Sequence, residues 1–234
     1  MKNSDFKLSA ADISFIGEDL SRPECVLAQA DGTLWISDNR GGVTKRAPDG
    51  RQQIIGKIKG SPNGFAMDRT GDLYVANMET CRLDRLSRDG THECLFDVAP
   101  GAVNFALCDP VKDRVWVTVS TRSRPIGEIA RNPKPDGEIW IYEDGRARIV
   151  ASSICFTNEV RVDARGEWLY VAETAMGRIL RYRIAADGAL SGREAFGPAK
   201  LGDGAIIDGI AFDGAGNLWI TELSRNAIWL VTPD

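Results

Sequence analysis

Five segments of this chain repeat one pattern, and the repeat constrains the fold more than any other feature of the sequence. Each segment contains a polar residue, a short apolar run, a turn with Asp and usually Gly, and then a Leu- or Val-led run with an aromatic residue. A repeat of fixed form stacks copies of one structural unit, so the fold must itself be repetitive. The segments begin at Pro23, Pro62, Val103, Thr157 and Ile207.

The repeated unit predicts strands, not helices. Asp-x-x-Gly turns at residues 68–71, 163–166 and 213–216 are typical of hairpins, because Asp and Gly tolerate positive φ. The runs that follow (LWIS, LYVA, VWVT, LYVA and LWIT) are β-branched and aromatic, which predicts strands buried on both faces. A more polar run follows each of them and predicts a more exposed strand. No segment sustains the i, i+3, i+4, i+7 apolar spacing of an amphipathic helix.

The polar residues that open the repeats are 39, 41, 54 and 50 positions apart. Propeller blades of four strands have about this period, roughly 40 to 50 residues. The sequence therefore predicts an all-β β-propeller of four-stranded blades, with five repeats visible, as one domain over residues 1–234. The irregular residues 123–137 lengthen the third period and are interpreted as a loop over one end of the propeller. The polar residues are Glu24, Asn63, Asn104, Asn158 and Asp208.

The number of blades in the closed ring stays open at this point. The fifth repeat is followed by Thr232, Pro233 and Asp234, where a turn should lead to another strand. Either the ring has five blades, or it has six and its last blade is not in this chain. In the second case a strand near residues 12–17 would pair with a strand that the sequence does not contain. An open ring exposes unpaired strand edges.

Composition excludes several classes of function. The formal net charge of −4 and the lack of a basic patch argue against nucleic acid and membrane surfaces as partners. The first 15 residues have no apolar stretch of a secretory signal, and no run approaches the roughly 18 apolar residues of a membrane helix. We therefore expect a cytoplasmic protein whose partner is a small-molecule substrate, and the oligomeric state stays open.

Histidine and cysteine usage narrows the chemistry further. His92 is the single histidine, which excludes zinc motifs with two histidines and disfavours a Ser-His-Asp triad far from the repeats. The five cysteines are scattered without a Cys-x-x-Cys pair, so we expect reduced, buried thiols. Cys25 and Cys108 lie near the polar residues, but neither has a histidine nearby as a base for nucleophilic catalysis.

The five polar residues predict a site at one end of the propeller channel. Equivalent positions of the inner strands converge around one axis, so these side chains should form a ring. Every member offers a side-chain oxygen and two are carboxylates, which suits a hard cation such as Ca²⁺, Mg²⁺ or Mn²⁺. Two alternatives stay open: Asn and Asp also cap turns, and a propeller can be a non-catalytic binding module.

Four motifs carry a family resemblance from about Arg22 onward. PECVLA…DGTLWISD, PNGFAMD…GDLYVAN, TNEVRVD…GEWLYVAET and IDGIAFD…GNLWITE resemble the SMP-30/gluconolactonase/LRE family. The resemblance implies a six-bladed propeller, which favours the ring whose last blade is not in this chain. It also implies one divalent cation, commonly Ca²⁺ with Mg²⁺, Mn²⁺ or Zn²⁺ as alternatives, held by Glu24, Asn158 and Asp208. The implied activity is hydrolysis of a lactone or related cyclic ester, and Asn104 matches an Asn of the family that helps to hold the substrate or a metal-bound water.

Departures from the family pattern point to a different substrate. Sugar-lactone members often have Arg and Asp where this chain has Ala102 and Phe105, so we expect a less polar substrate than an aldonolactone. Related esterases or phosphotriesterases and strictosidine-synthase-like condensing enzymes stay as alternatives, and the condensing enzymes would not require the metal set.

Roles follow for individual residues. Asp208 is the predicted catalytic base. Asn63 and Asn104 are predicted to bind substrate oxygens. Arg124 and Glu128 are predicted substrate-binding residues of a lid, Glu128 by loose positional likeness to the family, and the alternative is a solvated charged loop.

Overall fold

The computed structural model describes residues 9–129 and 131–233. The two ends of the predicted domain, residues 1–8 and Asp234, lie outside the described residues. Within the described ranges no helix is long and apolar enough to cross a membrane. The described strands form five antiparallel sheets, here called blades 1 to 5 in chain order.

The strand bounds follow the repeat. Blade 1 contains β1 (Val26–Ala28), β2 (Leu34–Asp38), β3 (Gly42–Arg46) and β4 (Gln52–Ile55). Blade 2 contains β5 (Pro62–Met67), β6 (Leu73–Asn77), β7 (Arg82–Leu86) and β8 (His92–Asp97). Blade 3 contains β9 (Val103–Cys108), β10 (Val115–Val119), β11 (Gly137–Glu143) and β12 (Arg146–Ile154). Blade 4 contains β13 (Thr157–Val162), β14 (Trp168–Glu173), β15 (Arg178–Ile184) and β16 (Leu190–Phe196). Blade 5 contains β17 (Ile207–Phe212), β18 (Leu218–Glu222) and β19 (Ala227–Val231).

Each blade is a simple meander in which strands that follow one another in the chain are neighbours in the sheet. The first strands of adjacent blades contact each other, as β5 does with β9, β9 with β13 and β13 with β17. The first strands are therefore the innermost ones. The second strands are buried, and β10 is buried along its whole length. The predicted all-β propeller of four-stranded blades is confirmed, with five blades in the described chain, the fifth of three strands.

Apolar side chains between the blades hold them together. Trp116 and Ile139 of blade 3 pack with Leu169 and Leu180 of blade 4, all almost fully buried. Each such side chain contributes about 1.5–3 kcal/mol when it leaves water. The buried apolar residues form four clusters, one at each interface between successive blades, and these fix the inner strands relative to one another.

The predicted hairpin turns form as their chemistry requires. Asp68 Oδ1 accepts hydrogen bonds from the backbone N–H groups of Thr70, Gly71 and Asp72 at 2.8–3.0 Å. Gly71 has a φ of +89°, which its lack of a Cβ makes inexpensive. In the third of these turns, the side chains of Asn217 and Trp219 donate hydrogen bonds to the Asp213 carboxylate and lower its pKa to about 2.

Three expectations need correction. Residues 12–17 do not form a strand: a 3-10 turn, Ala10–Asp12, is followed by extended chain with no strand among the described residues to pair with, and Phe15 is 96% exposed. The loop after β10 is not wholly irregular, since it contains a short helix, α1 (Ile126–Ile129). All five cysteines are free as expected, but only Cys81 is buried: Cys25, Cys108 and Cys155 are half-buried, and Cys94 is exposed on β8, the outermost strand of blade 2.

Candidate functional site

Irregular pairing marks the inner strands at their polar residues. In blade 4, Thr157 of β13 pairs with Glu173, but Val160 pairs with Val171, so the inner strand has one extra residue. The extra residue falls at Asn158 and Glu159. Such a β-bulge re-aims side chains that regular alternation would send to opposite faces. The same irregularity occurs in β5 at residues 63–64, in β9 at residue 104 and in β17 at residues 208–209.

Hydroxyl side chains satisfy the backbone where pairing is interrupted. The N–H of Gly209 donates to Thr221 Oγ1 at 2.8 Å, and the N–H of Phe105 donates to Thr118 Oγ1 at 3.1 Å. In blade 1 the N–H of Cys25 donates to Ser37 Oγ at 2.9 Å. A buried N–H without a partner is costly. The hydroxyls of the second strands therefore stabilise the local geometry that presents the polar residues.

Two successive residues from every blade line one cavity of about 260 Å³. The first residues of these pairs are the five predicted polar residues, and we call them the anchor ring. The second residues are here called the second ring. Thr221 and Leu223 complete the lining. The anchor ring consists of Glu24, Asn63, Asn104, Asn158 and Asp208. The second ring consists of Cys25, Gly64, Phe105, Glu159 and Gly209.

The two carboxylates of the anchor ring are partly screened from water. Asn158 Nδ2 donates to Asp208 Oδ1 at 2.6 Å and to Thr174 Oγ1 at 3.1 Å. Burial raises the pKa of Asp208, and the Asn158 hydrogen bond and the charge of Arg22 oppose that shift. Burial also raises the pKa of Glu24, whose Oε2 lies 3.3 Å from Arg22 Nη2. Both carboxylates are therefore harder to ionise than in water, and nearby positive charge favours their charged forms.

Glu159 is a third carboxylate at the cavity, and the sequence analysis did not identify it. Its Oε2 lies 3.0 Å from Arg161 Nη2 and accepts the N–H of Ile210 at 2.9 Å. Burial raises its pKa; Arg161 and the Ile210 hydrogen bond lower it, and Asp208 and Glu24 raise it further. The sequence does mark Glu159 as unusual, because it directly follows an anchor residue at a position where two other repeats have glycine. Without the bulge, alternation would send it away from the cavity.

The amide oxygens of two anchor residues are buried without a partner. Asn63 and Asn104 are 2% and 3% exposed, and their Oδ1 atoms accept no hydrogen bond. Asn63 Nδ2 donates to the backbone oxygen of Asn104 at 2.9 Å. Buried acceptors left unpaired in a cavity are the atoms that a bound cation or a donor group would satisfy.

The anchor ring fits a hard divalent cation in its chemistry. Its donor atoms are carboxylate and amide oxygens, the ligands that Ca²⁺ and Mg²⁺ prefer. Within residues 9–129 and 131–233 no group of three or more His, Cys, Asp or Glu side chains is arranged to hold a metal, so a site here needs amide oxygen as well. Asn158 turns Nδ2 toward Asp208 in this structure. A half-turn of the amide exchanges its nitrogen and oxygen positions.

Cys25 lines the cavity but is not activated as a nucleophile. Burial raises the pKa of its thiol to about 11, and its S–H donates to the backbone oxygen of Phe65 at 3.8 Å. The reactive form of cysteine is the thiolate. The raised pKa agrees with the absence of a nearby histidine that could activate this thiol.

The structure does not bring the two predicted lid residues to the cavity. Arg124 Nη2 donates to the backbone oxygens of Met78 at 3.1 Å and Gly101 at 3.3 Å, which fastens the loop to blades 2 and 3. Glu128 is exposed on α1. Neither residue lines the cavity.

Solved structures share this fold, and one curated protein is related in sequence. A curated relative, strictosidine synthase-like 2 of Arabidopsis thaliana, is 32% identical in an alignment of 171 residues that covers 65% of this chain and 44% of that protein. This chain therefore spans less than half of the relative's length. The solved structure of a calcium-binding regucalcin from Agrobacterium tumefaciens superposes with a TM-score of 0.72 at 18% identity, over 89% of this chain and 70% of that one. A gluconolactonase from Xanthomonas campestris gives 0.69 at 22% identity, over 87% and 71%.

A family model covers almost the whole chain. Residues 22–234 match the model described as the SMP-30/Gluconolactonase/LRE-like region, whose propeller has six blades. The match begins at Arg22, two residues before the first anchor residue, and includes all five repeats. The chain belongs to the SMP-30/gluconolactonase/LRE-like family.

Proposed function

We propose that this protein is a divalent-cation-dependent hydrolase that opens a lactone or related cyclic ester in the cavity of the anchor ring. The observation that carries the proposal is the convergence of Glu24, Asn158 and Asp208 on one cavity that also contains two unpaired amide oxygens. Membership of a family that includes gluconolactonases supports the same reaction class. The proposed substrate is a small molecule, in keeping with a cavity of about 260 Å³.

Glu24, Asn158 and Asp208 are the proposed cation ligands, with Ca²⁺ as the preferred ion. The regucalcin of similar fold is described as calcium-binding, which supports this choice. When bound, such a cation supplies a Lewis acid that polarises the ester carbonyl. The raised pKa values of Glu24 and Asp208 show that burial disfavours their charges, so positive charge in this position stabilises them.

Asp208 is the proposed general base. Its Oδ1 is held by Asn158 Nδ2, so the carboxylate has a fixed direction at the cavity wall. A raised carboxylate pKa brings a base closer to neutrality, where it removes a proton from water more effectively. In the proposed reaction Asp208 takes a proton from water, and the water oxygen bonds to the carbonyl carbon. The ring C–O bond then breaks, and the leaving alkoxide takes the proton to give a hydroxy acid.

Asn63 and Asn104 are proposed to bind substrate with different atoms. Asn63 already uses its amide nitrogen to hold the backbone of Asn104, so its unpaired Oδ1 is the atom left to accept from the substrate. Asn104 offers its amide N–H groups to a substrate oxygen. Phe105 and Leu223 add apolar surface to the same cavity, which supports a less polar substrate than a sugar lactone.

The test is a hydrolysis panel of aliphatic lactones, aryl esters and phosphotriesters with purified protein. We expect lactone opening that EDTA abolishes and Ca²⁺ restores. Asp208→Ala should lower kcat by at least 100-fold, in the range that a general base contributes. Asp203→Ala is the matched control, because Asp203 is an exposed carboxylate outside the cavity. Near-normal turnover by Asp208→Ala, or hydrolysis that is insensitive to EDTA, would contradict the proposal.

Similarity to a strictosidine synthase-like protein favours one second candidate, a condensing enzyme that uses the same cavity without the metal set. The panel separates the two. A condensing enzyme would open no lactone, and its reaction would continue in EDTA.

A further inference from the structure

The second ring differs from the anchor ring in that its members have unlike chemistry. It contains a thiol, two glycines, one aromatic ring and one carboxylate. A ring of unlike side chains gives the cavity distinct sides, and a cavity with distinct sides selects a substrate by orientation. The two sides that matter here are those of Phe105 and Glu159.

Phe105 is fixed in the wall by its neighbours. A Cβ on Gly64 would lie 2.1 Å from Phe105 Cδ2, so the ring fills the space that the glycine leaves. Arg161 Cζ lies 4.8 Å from the centre of the ring, a cation–π contact. The ring therefore presents a rigid apolar surface to the cavity.

Glu159 is held in place through one of its two oxygens. Oε2 contacts Arg161 and the backbone N–H of Ile210, while Oε1 has no partner among the described residues. The side chain lines the cavity and is 16% exposed there. Gly209 stands beside the carboxylate, since a Cβ on it would lie 3.7 Å from Oε2. One acceptor atom is thus left open on an oriented, charged group.

We infer that Glu159 is a specificity-determining residue, whose Oε1 accepts a hydrogen bond from an O–H or N–H group of the substrate while Phe105 contacts its apolar body. This inference rests on the proposed hydrolase function and deepens it. The substrate class is a lactone that carries an alkyl or aryl substituent with a hydroxyl or amine donor. A hydrogen bond to a charged partner is stronger than one between neutral groups, so Glu159 discriminates strongly against substrates without the donor.

The competing role for Glu159 is purely structural, as a charge partner of Arg161. The two roles differ in what Glu159→Gln changes. In the variant the Gln oxygen takes over the contacts with Arg161 and Ile210, because both are donors, and the amide nitrogen faces the cavity. The open acceptor becomes a donor. A structural role lowers stability without altering the choice of substrate.

The experiment compares two lactones that differ only in a terminal hydroxyl or methoxy group. We expect wild-type protein to prefer the hydroxyl compound by about 10-fold or more in kcat/KM, the range for a hydrogen bond to a charged group. Glu159→Gln should remove or reverse that preference. Phe105→Leu is the matched control, because it should lower kcat/KM for both lactones by a similar factor and leave the ratio of the two kcat/KM values unchanged.

Binding of the two corresponding lactams, measured by calorimetry, separates failure of the inference from failure of the proposed function. Preference for the hydroxyl lactam by wild type, lost in Glu159→Gln, supports the inference even if neither lactone is opened. Equal affinity of wild type for both lactams, or an unchanged preference in a folded Glu159→Gln, overturns it. If neither lactam binds and neither lactone is opened, both proposals fall.

Discussion

Replacement of Gly64 is predicted to destabilise the protein because of Phe105. A Cβ at this position would lie 2.1 Å from Phe105 Cδ2 and 2.8 Å from Phe105 Cα. The ring can rotate away from the first contact, but the second is with backbone. Overpacking of this kind costs about 1–3 kcal/mol. Gly64 is not among the glycines with positive φ, so Ala fits the backbone and regains about 0.4–1 kcal/mol through the unfolded chain. We therefore expect Gly64→Ala to lower the free energy of unfolding by about 1 kcal/mol.

Urea unfolding with a double-mutant cycle tests this reasoning. Phe105→Ala alone should cost about 3–5 kcal/mol through the cavity that it leaves. In the double variant the side-chain contact is gone while the backbone contact stays, so the two costs should fall short of additivity by about 1 kcal/mol. Gly127→Ala is the control, since nothing lies within 4 Å of its Cβ position. Wild-type stability in Gly64→Ala, or strictly additive costs, would refute the argument.

Three further predictions concern charge and reactivity at the cavity. Because burial raises the pKa of Asp208, Asp208→Asn should raise the melting temperature in EDTA and abolish stabilisation by Ca²⁺, both measured by thermal unfolding. A raised pKa means that the folded state binds more protons than the unfolded state, so this group's contribution to stability falls as pH rises from its ordinary pKa through the folded value. The difference in free energy of unfolding between wild type and Asp208→Asn, measured by urea titration at pH 4–7, should fall as pH rises. A difference that is independent of pH would contradict the argument. Cys25, with a thiol pKa of about 11, should be alkylated by iodoacetamide at pH 8 far more slowly than exposed Cys94, as followed by peptide mass spectrometry; equal rates would place Cys25 in a different environment.

Much of the fold follows from the sequence because its signals are local. The runs that became β2, β6, β10, β14 and β18 carry their strand character in every repeat, and the turns at Asp68 and Asp213 form from side-chain chemistry within a few residues. The anchor ring was likewise predictable, since identical repeats place equivalent residues around one axis. The short helix α1 was not, because four residues carry no helical periodicity.

The second ring was not predictable for a different reason. In blades 2 to 5 its members face the cavity because the inner strand gains one residue relative to its partner, and strand alternation predicts the opposite face. Glu159 was therefore missed although its neighbour Asn158 was identified. Phe105 was connected with the substrate only through the family resemblance. Arg124 was assigned to a lid on charge alone, and its contacts are with the backbone of Met78 and Gly101, which are 46 and 23 residues away in the sequence.

In the bulged inner strands, the residues that pair with the neighbouring strand are different from the residues that line the cavity. In β5, β13 and β17 regular pairing resumes at the residue after the bulge, so the backbone hydrogen bonds do not depend on which side chains the two residues of the bulge carry. Substitution within a pair therefore changes the cavity wall and leaves the strand pairing intact. Exchange of Asn158 and Glu159 for the Asn63 and Gly64 type of pair would remove the carboxylate from one side of the cavity, together with its contacts to Arg161 and to the N–H of Ile210. A fold built in this way can acquire a new substrate by local substitutions that keep its strand pairing, provided that the pair still fits the neighbouring blade, as Gly64 fits Phe105.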